Sequence, residues 1–219
     1  MIVSLRSYIR SVILEKAITP MQARKRDLAL HVGLTDQRRM YVLYNPTELY
    51  TILQRTKNND DRFLIDFSSS IIGVVAVYPA KKGRHWSAAS ISYAAAEKGY
   101  GPLMYDIVMA SEGGLMADRG SVKPAAKKVW QYYKDSRPDV IAKPLDDIQD
   151  PKTEPTIDDA QVYSGGEDNP LNYAYFTKKK PNITQLKSNS ANAMKQLRKL
   201  EFSVDDLFDI AAEYFDSRY

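Results

Sequence analysis

The stretch Glu97-Lys98-Gly99-Tyr100-Gly101-Pro102-Leu103-Met104-Tyr105 constrains the fold more than any other. A strand-like run, Trp86 to Ala96, rich in Ser and Ala, feeds into it. Pro102 then opens a helix-like segment that reaches Ser111, with Gly113-Gly114 as its stop signal. A glycine turn directly before a helix leaves backbone N–H groups without intrahelical acceptors, aimed at one point where the helix dipole adds partial positive charge. Such a turn suits a phosphate or diphosphate. Glycines at 99 and 101 keep Cβ atoms out of the approach.

The flanking segments extend this into an alternating chain. Ile71 to Tyr78 is short, β-rich and ended by Pro79, the pattern of a buried strand. Phe63 to Phe67 is a shorter strand candidate, and Lys81-Lys82-Gly83-Arg84 with His85 is the turn into the next strand. Leu115 to Asp118 reads as a short strand, and Ser121 is placed to cap the helix carrying Ala125, Ala126, Val129, Trp130 and Tyr133. Leu171 to Phe176 returns to strand character. Residues 1–40 read as helical with a break at Thr19-Pro20, and Pro46 to Leu53 as a short helix. Near the other end Ala193, Met194, Leu197 and Leu200 fit one helical face, and Ser203-Val204-Asp205-Asp206 resembles a cap. The expectation is an α/β chain: a core over 1–177 with an irregular, proline-rich acidic insertion at 138–170, then a helical extension over 178–219.

Composition narrows the chemistry. The 219 residues include no cysteine, which excludes disulfides and thiolate metal sites, and two histidines, His31 and His85, are too few for a histidine-rich metal centre. No metal site is expected. No apolar run reaches about 18 residues, so no membrane-spanning helix is expected. Met1 to Ile18 lacks the apolar block of a secretory signal and reads as an amphipathic helix packed on its own domain. A soluble cytoplasmic protein is the expectation. Residues 138–170 carry −7, so the remainder of a chain of net charge +4 carries +11. Residues 171–200 hold seven bases and no acid. Such blocks mark nucleic-acid or acidic-partner surfaces, pair across one fold, or are simply solvated; nucleic acid is the less favoured reading.

The order strand, strand, Gly-x-Gly, helix, strand, helix, irregular stretch, strand resembles the core of the GCN5-related N-acetyltransferase (GNAT) superfamily. The resemblance covers about residues 71–135, and 171–176 more loosely, and looks closest to acetyltransferase-like proteins of tailed bacteriophages. Gly99 to Asp106 and Leu115 to Trp130 carry it. It implies a mixed, mostly antiparallel sheet flanked by helices and split into a V by a bulge, with acetyl-coenzyme A in the split. The diphosphate would sit on the N–H groups of Lys98, Gly99, Tyr100, Gly101 and Leu103, around Pro102, with Tyr100 covering the cofactor's edge. The pantetheine arm would run beside Ser92, Tyr93 and Ala94. The implied reaction is direct transfer of acetyl to an amine on a small molecule or protein, with an oxyanion donor at Tyr93 or Ala94 and a tyrosine protonating the leaving thiolate.

Two departures stand out. The family's Gln or Arg at the start of the phosphate loop is Ala96 here, and its helix tyrosine falls on Trp130, so Tyr132 and Tyr133 become the candidates for the thiolate's proton. These leave two alternatives: a catalytically degenerate phage protein that binds a host or virion partner, and a nucleic-acid-modifying acyltransferase. A homodimer is a further implication. Asp118 and Arg119 read as a structural pair or turn contact, Glu97 and Glu112 as solvated carboxylates, and Lys178-Lys179-Lys180 as solvated surface. Tyr173 and Tyr175 suit either an acceptor site or core packing.

Overall fold

The computed structural model describes residues 28–35, 37–58, 70–80, 88–147, 160–178 and 183–216. The expected strand at 63–67, the 81–87 turn with His85, and Lys179-Lys180 lie outside them. The described residues form an α/β structure, a seven-stranded mixed sheet with five α-helices.

The sheet opens with a hairpin, β1 (Ala29–Thr35) and β2 (Arg38–Tyr44). This corrects the helical expectation for residues 1–40 over their described part. Leu28, Leu30, Tyr41 and Leu43 enter one core cluster while Ala29, Val42 and Tyr44 enter another. At this end of the hairpin both faces are buried, so the alternation that marks a strand carries no polar–apolar contrast there. Helix α1 (Pro46–Asn58) follows, started by Asn45, whose Oδ1 accepts the N–H groups of Thr47 and Glu48.

Next come β3 (Ile71–Tyr78), β4 (Ala89–Ala96), α2 (Gly101–Glu112), β5 (Leu115–Met116) and α3 (Pro124–Ser136). Gly113 ends α2 in the left-handed region at φ 85°, its N–H returning to the Met109 carbonyl. Ser121 does not cap α3. Lys123 holds the N-cap position without a side-chain bond, and Pro124, which needs no N–H acceptor, starts the helix.

Strands β6 (Val140–Pro144) and β7 (Tyr173–Thr177) pair antiparallel. The 138–170 segment is therefore not wholly irregular. Its start supplies the edge strand β6, and Asp146 bridges Ala160. Charge and proline hid this strand, because an exposed edge tolerates both. Helices α4 (Thr184–Leu197) and α5 (Val204–Asp216) close the chain. Ser203 and Asp206 form the expected reciprocal cap: Ser203 N–H donates to Asp206 Oδ2 at 2.6 Å, and Asp206 N–H to Ser203 Oγ at 3.1 Å.

The strand order is β1-β2-β3-β4-β5-β7-β6, and every neighbouring pair is antiparallel except β4–β5. Helices α2 and α3 cover one face, while α1, α5 and most of α4 cover the other. Leu207, Phe208 and Ala211 of α5 and Ala193, Met194 and Leu197 of α4 are buried, so the C-terminal helices belong to the core.

Candidate functional site at the β4–α2 turn

Strand β4 pairs with β3 from Ser90 to Ala96 but touches β5 at only two positions, Ala89 opposite Leu115 and Ser90 opposite Met116. Past Met116 the chain leaves the sheet. Among the described residues no strand flanks the far side of Ile91 to Ala96. The sheet therefore opens between β4 and β5. At the opening β4 carries a bulge: Ala76 faces Tyr93 but Val77 faces Ile91, leaving Ser92 extra. Ser92 Oγ donates to the Ala76 carbonyl at 3.2 Å, holding the bulge against β3.

The bulge distinguishes Tyr93 from Ala94. Glu97 N–H donates to the Ile72 carbonyl of the β3 side. Amide direction alternates along a strand, so Ala96 and Ala94 turn their N–H groups away from β3, toward the opening, and Tyr93 does not. The side chains alternate in the same way: Ala94 and Ala96 pack on the α2–α3 face, Tyr93 and Ala95 on the other.

At the end of β4 the chain turns through Lys98, Gly99 and Tyr100. Tyr100 N–H closes the turn on the Glu97 carbonyl at 3.0 Å, and Met104 N–H makes the first bond of α2, to the Tyr100 carbonyl. Gly99 holds φ 92°, a region costly for residues with a Cβ. The N-cap Tyr100 makes no side-chain cap bond. Among the described residues, no acceptor meets the N–H groups of Gly101 and Leu103. Gly101 has neither a left-handed backbone nor a crowded one, since a Cβ built on it meets no atom within 4 Å. No packing or strain explains its glycine; the space over it is open.

Tyr100 itself does not cover this space. It is 6 % exposed and belongs to the core beneath the turn, which corrects the expectation that it shields a cofactor's edge. Lys98 is exposed, Pro102 half-buried, and Leu103 sends its side chain into the core.

Helix α3 braces the turn from below. Tyr133 is 1 % exposed, and its hydroxyl, with one proton, lies 2.7 Å from both the Pro102 carbonyl and Asp106 Oδ1. Arg137 Nη1 stands 3.2 Å from both Asp106 oxygens, and its Nε and Nη2 fork onto Asp139 at 2.7 Å each. Burial, then the Asp106 carboxylate, holds the Tyr133 pKa well above the usual phenol value. Burial also raises Asp106, against the pull of Arg137, while the Arg137 hydrogen bond lowers Asp139. Tyr133 therefore keeps its proton and spends it inside the protein. Tyr132 is half-buried against the same cluster. Trp130 is sandwiched between Tyr105 and Tyr175, with ring centroids at 4.8 and 5.0 Å.

The remaining residues sort plainly. Asp118 Oδ1 accepts the N–H groups of Gly120 and Ser121, a turn contact, whereas Arg119 reaches across the fold to donate to the carbonyls of Ala160 and Leu171. Tyr175 is buried, its hydroxyl donating to the Pro170 carbonyl at 2.6 Å; Tyr173 donates to the Glu167 carbonyl. Lys178 Nζ donates to the Pro138 carbonyl. Glu112 is not a solvated carboxylate. Its side chain is 4 % exposed and is met by Arg39 at 2.8 Å and by the Tyr41 hydroxyl. Sequence missed this contact because its partners lie 71 and 73 residues away.

Among the described residues no cluster of His, Asp and Glu could hold a metal ion, and no helix is long and apolar enough to cross a membrane. No protein-family profile matches the chain, and neither a curated protein nor a solved structure does.

Proposed function

We propose that the chain binds acetyl-coenzyme A at the β4–α2 turn and transfers the acetyl group to an amine. The observation that carries this is the combination at Gly101: an uncapped helix start, two N–H groups without acceptors, and open space where a Cβ would stand. A diphosphate fits that donor set, and Lys98 adds a cation beside it. The opening between β4 and β5 begins at the same end and offers the Ala96 and Ala94 N–H groups to an extended amide-bearing arm.

When bound, the cofactor supplies a thioester whose acetyl group an uncharged amine can accept. The chain's part is positional. Gly101 and Leu103 hold the diphosphate. Ala94 N–H, beside the Ser92 bulge, is a donor for a carbonyl oxygen laid against β4. Tyr133 Oη keeps its proton on Pro102 and Asp106 and fixes the first turn of α2.

That commitment of Tyr133, with Trp130 locked in an aromatic stack, favours a second reading: cofactor binding without turnover. Calorimetric titration with acetyl-coenzyme A tests the shared claim, and thiol release against a panel of primary amines separates the two. Absence of heat and of any thermal shift at saturating cofactor sinks both. Binding with no thiol release leaves the second.

A further inference from the structure

Strand β1 ends the sheet. Among the described residues it pairs with β2 on one side alone, and helix α4 packs against it. Between them lies an open groove of about 460 Å³, distinct from the β4–α2 turn. Its floor is aliphatic: Leu30 and Val32 from β1, Ala191 and Met194 from α4, and Val204 at the start of α5. The polar groups below bond to one another. Ser190 Oγ sits 3.2 Å from both His31 Nδ1 and the Tyr44 hydroxyl.

The rim is cationic. Lys187, Lys195 and Arg198 are exposed and line the groove, spread over about 16 Å of helix. No acid lines it. Among the described residues none of the three forms an ion pair, although Asp205, Asp206 and Asp209 are exposed on the next helix. Their field is felt inside: Arg198, after burial, pushes the His31 pKa down.

We infer that this groove docks an acidic, amphipathic segment of another protein, its aliphatic side chains on the floor and its carboxylates on Lys187, Lys195 and Arg198. Charge complementarity selects an acidic occupant, and the floor selects among acidic occupants. A nucleic acid strand would ask for a row of aromatic platforms to stack its bases; among the described lining residues the one ring is the His31 imidazole, which is held by Ser190 and set edge-on to Phe208. An amphipathic helix laid in an apolar groove with a charged rim uses both features. This inference does not depend on cofactor binding.

The test uses the full chain and fluorescence anisotropy. The probe is a labelled synthetic peptide of about 15 residues, with Leu at helical spacing and Asp and Glu elsewhere. Controls are the same composition scrambled to destroy the apolar face, and an oligothymidylate of equal charge. Lys195→Glu with Arg198→Glu reverses the rim; Lys127→Glu with Lys128→Glu makes the same charge change on the exposed side of α3. All four positions are exposed, and an unchanged thermal midpoint checks that the fold survives. The expected result is saturable peptide binding that weakens about tenfold or more in the rim variant and stays within about twofold in the α3 variant. The inference is overturned by absence of saturable binding, by equal losses in the two variants, by equal affinity for the scrambled peptide, or by an oligothymidylate that binds as tightly.

Discussion

Replacing Gly101 with Ala separates a structural glycine from a binding one. A Cβ at this position meets nothing within 4 Å, and the backbone is not left-handed. Alanine there restricts the unfolded chain without straining the folded one, so Gly101→Ala should stabilise by about 0.4–1 kcal/mol. For a domain of this size that raises the thermal midpoint by about 1–4 °C. The same methyl fills the space in front of the Gly101 and Leu103 N–H groups. Displacing a diphosphate from one charge-assisted hydrogen bond costs about 1.5–3 kcal/mol, or roughly ten- to 150-fold in affinity for acetyl-coenzyme A. Gly99→Ala is the contrast, because φ 92° penalises a Cβ by about 1–2 kcal/mol and lowers the midpoint. Calorimetric titration and thermal melts of the two variants give the answer. If Gly101→Ala binds the cofactor within about twofold of wild type, the open space over the turn is not where the diphosphate lies. If it melts lower, the space is not open.

Tyr133→Phe removes the one buried hydroxyl shared by the Pro102 carbonyl and Asp106, leaving Asp106 to Arg137 alone, and should cost about 1–3 kcal/mol in urea unfolding. Loss of a general acid typically slows turnover by about 10²–10⁴-fold, so any transfer activity that survives Tyr133→Phe to within about threefold at saturating cofactor confirms a bracing role. His31 has its pKa lowered by burial and by Arg198, so the unfolded chain binds its proton more readily; stability present above about pH 6.5 should fall as pH drops through the depressed folded value. Urea midpoints from pH 7.5 down to about 5 check this, and His31→Gln should flatten the slope. Gly114→Ala drives a Cβ to 2.6 Å from the Phe176 ring and 3.2 Å from Ala88 Cβ at the β4–β5 junction, an overpacking expected to cost about 1–3 kcal/mol in the same assay.

The turn, the helix after it and the order of elements around it were legible because each is local. Gly99, Gly101, Pro102 and Gly113 act through their own backbone, and the Ser203–Asp206 cap spans one helical turn. What escaped depends on distance or on burial of both faces. The β1–β2 hairpin looked helical because both faces are buried at its Leu28–Leu30 and Tyr41–Tyr44 end, which removes the alternation there. The edge strand β6 looked irregular because Ile141 and Lys143 on one face, and Pro144 at its end, are exposed. Tyr100 was expected at the surface between two glycines, and only the tertiary structure shows a core below for it to fill. The commitment of Tyr133 was illegible for the same reason, since Pro102 and Asp106 lie 31 and 27 residues earlier.

Three local choices at one end of β4 oppose simple stability. The strand Ala-Ser-Ile-Ser-Tyr-Ala-Ala-Ala is poor in the branched and aromatic residues that favour sheets. Its neighbour β5 lasts two residues, so the β4 amides beyond it lose the strand partner they would otherwise have. Helix α2 then starts without a side-chain cap, forgoing about 1 kcal/mol. Each alone would be an ordinary imperfection. Together they leave small side chains, strand amides with no strand partner among the described residues, and an uncapped helix start facing one opening, while the Tyr133–Asp106–Arg137 network stiffens the same turn from beneath. Local rules broken in one place and reinforced from behind are the pattern on which the proposed cofactor site rests.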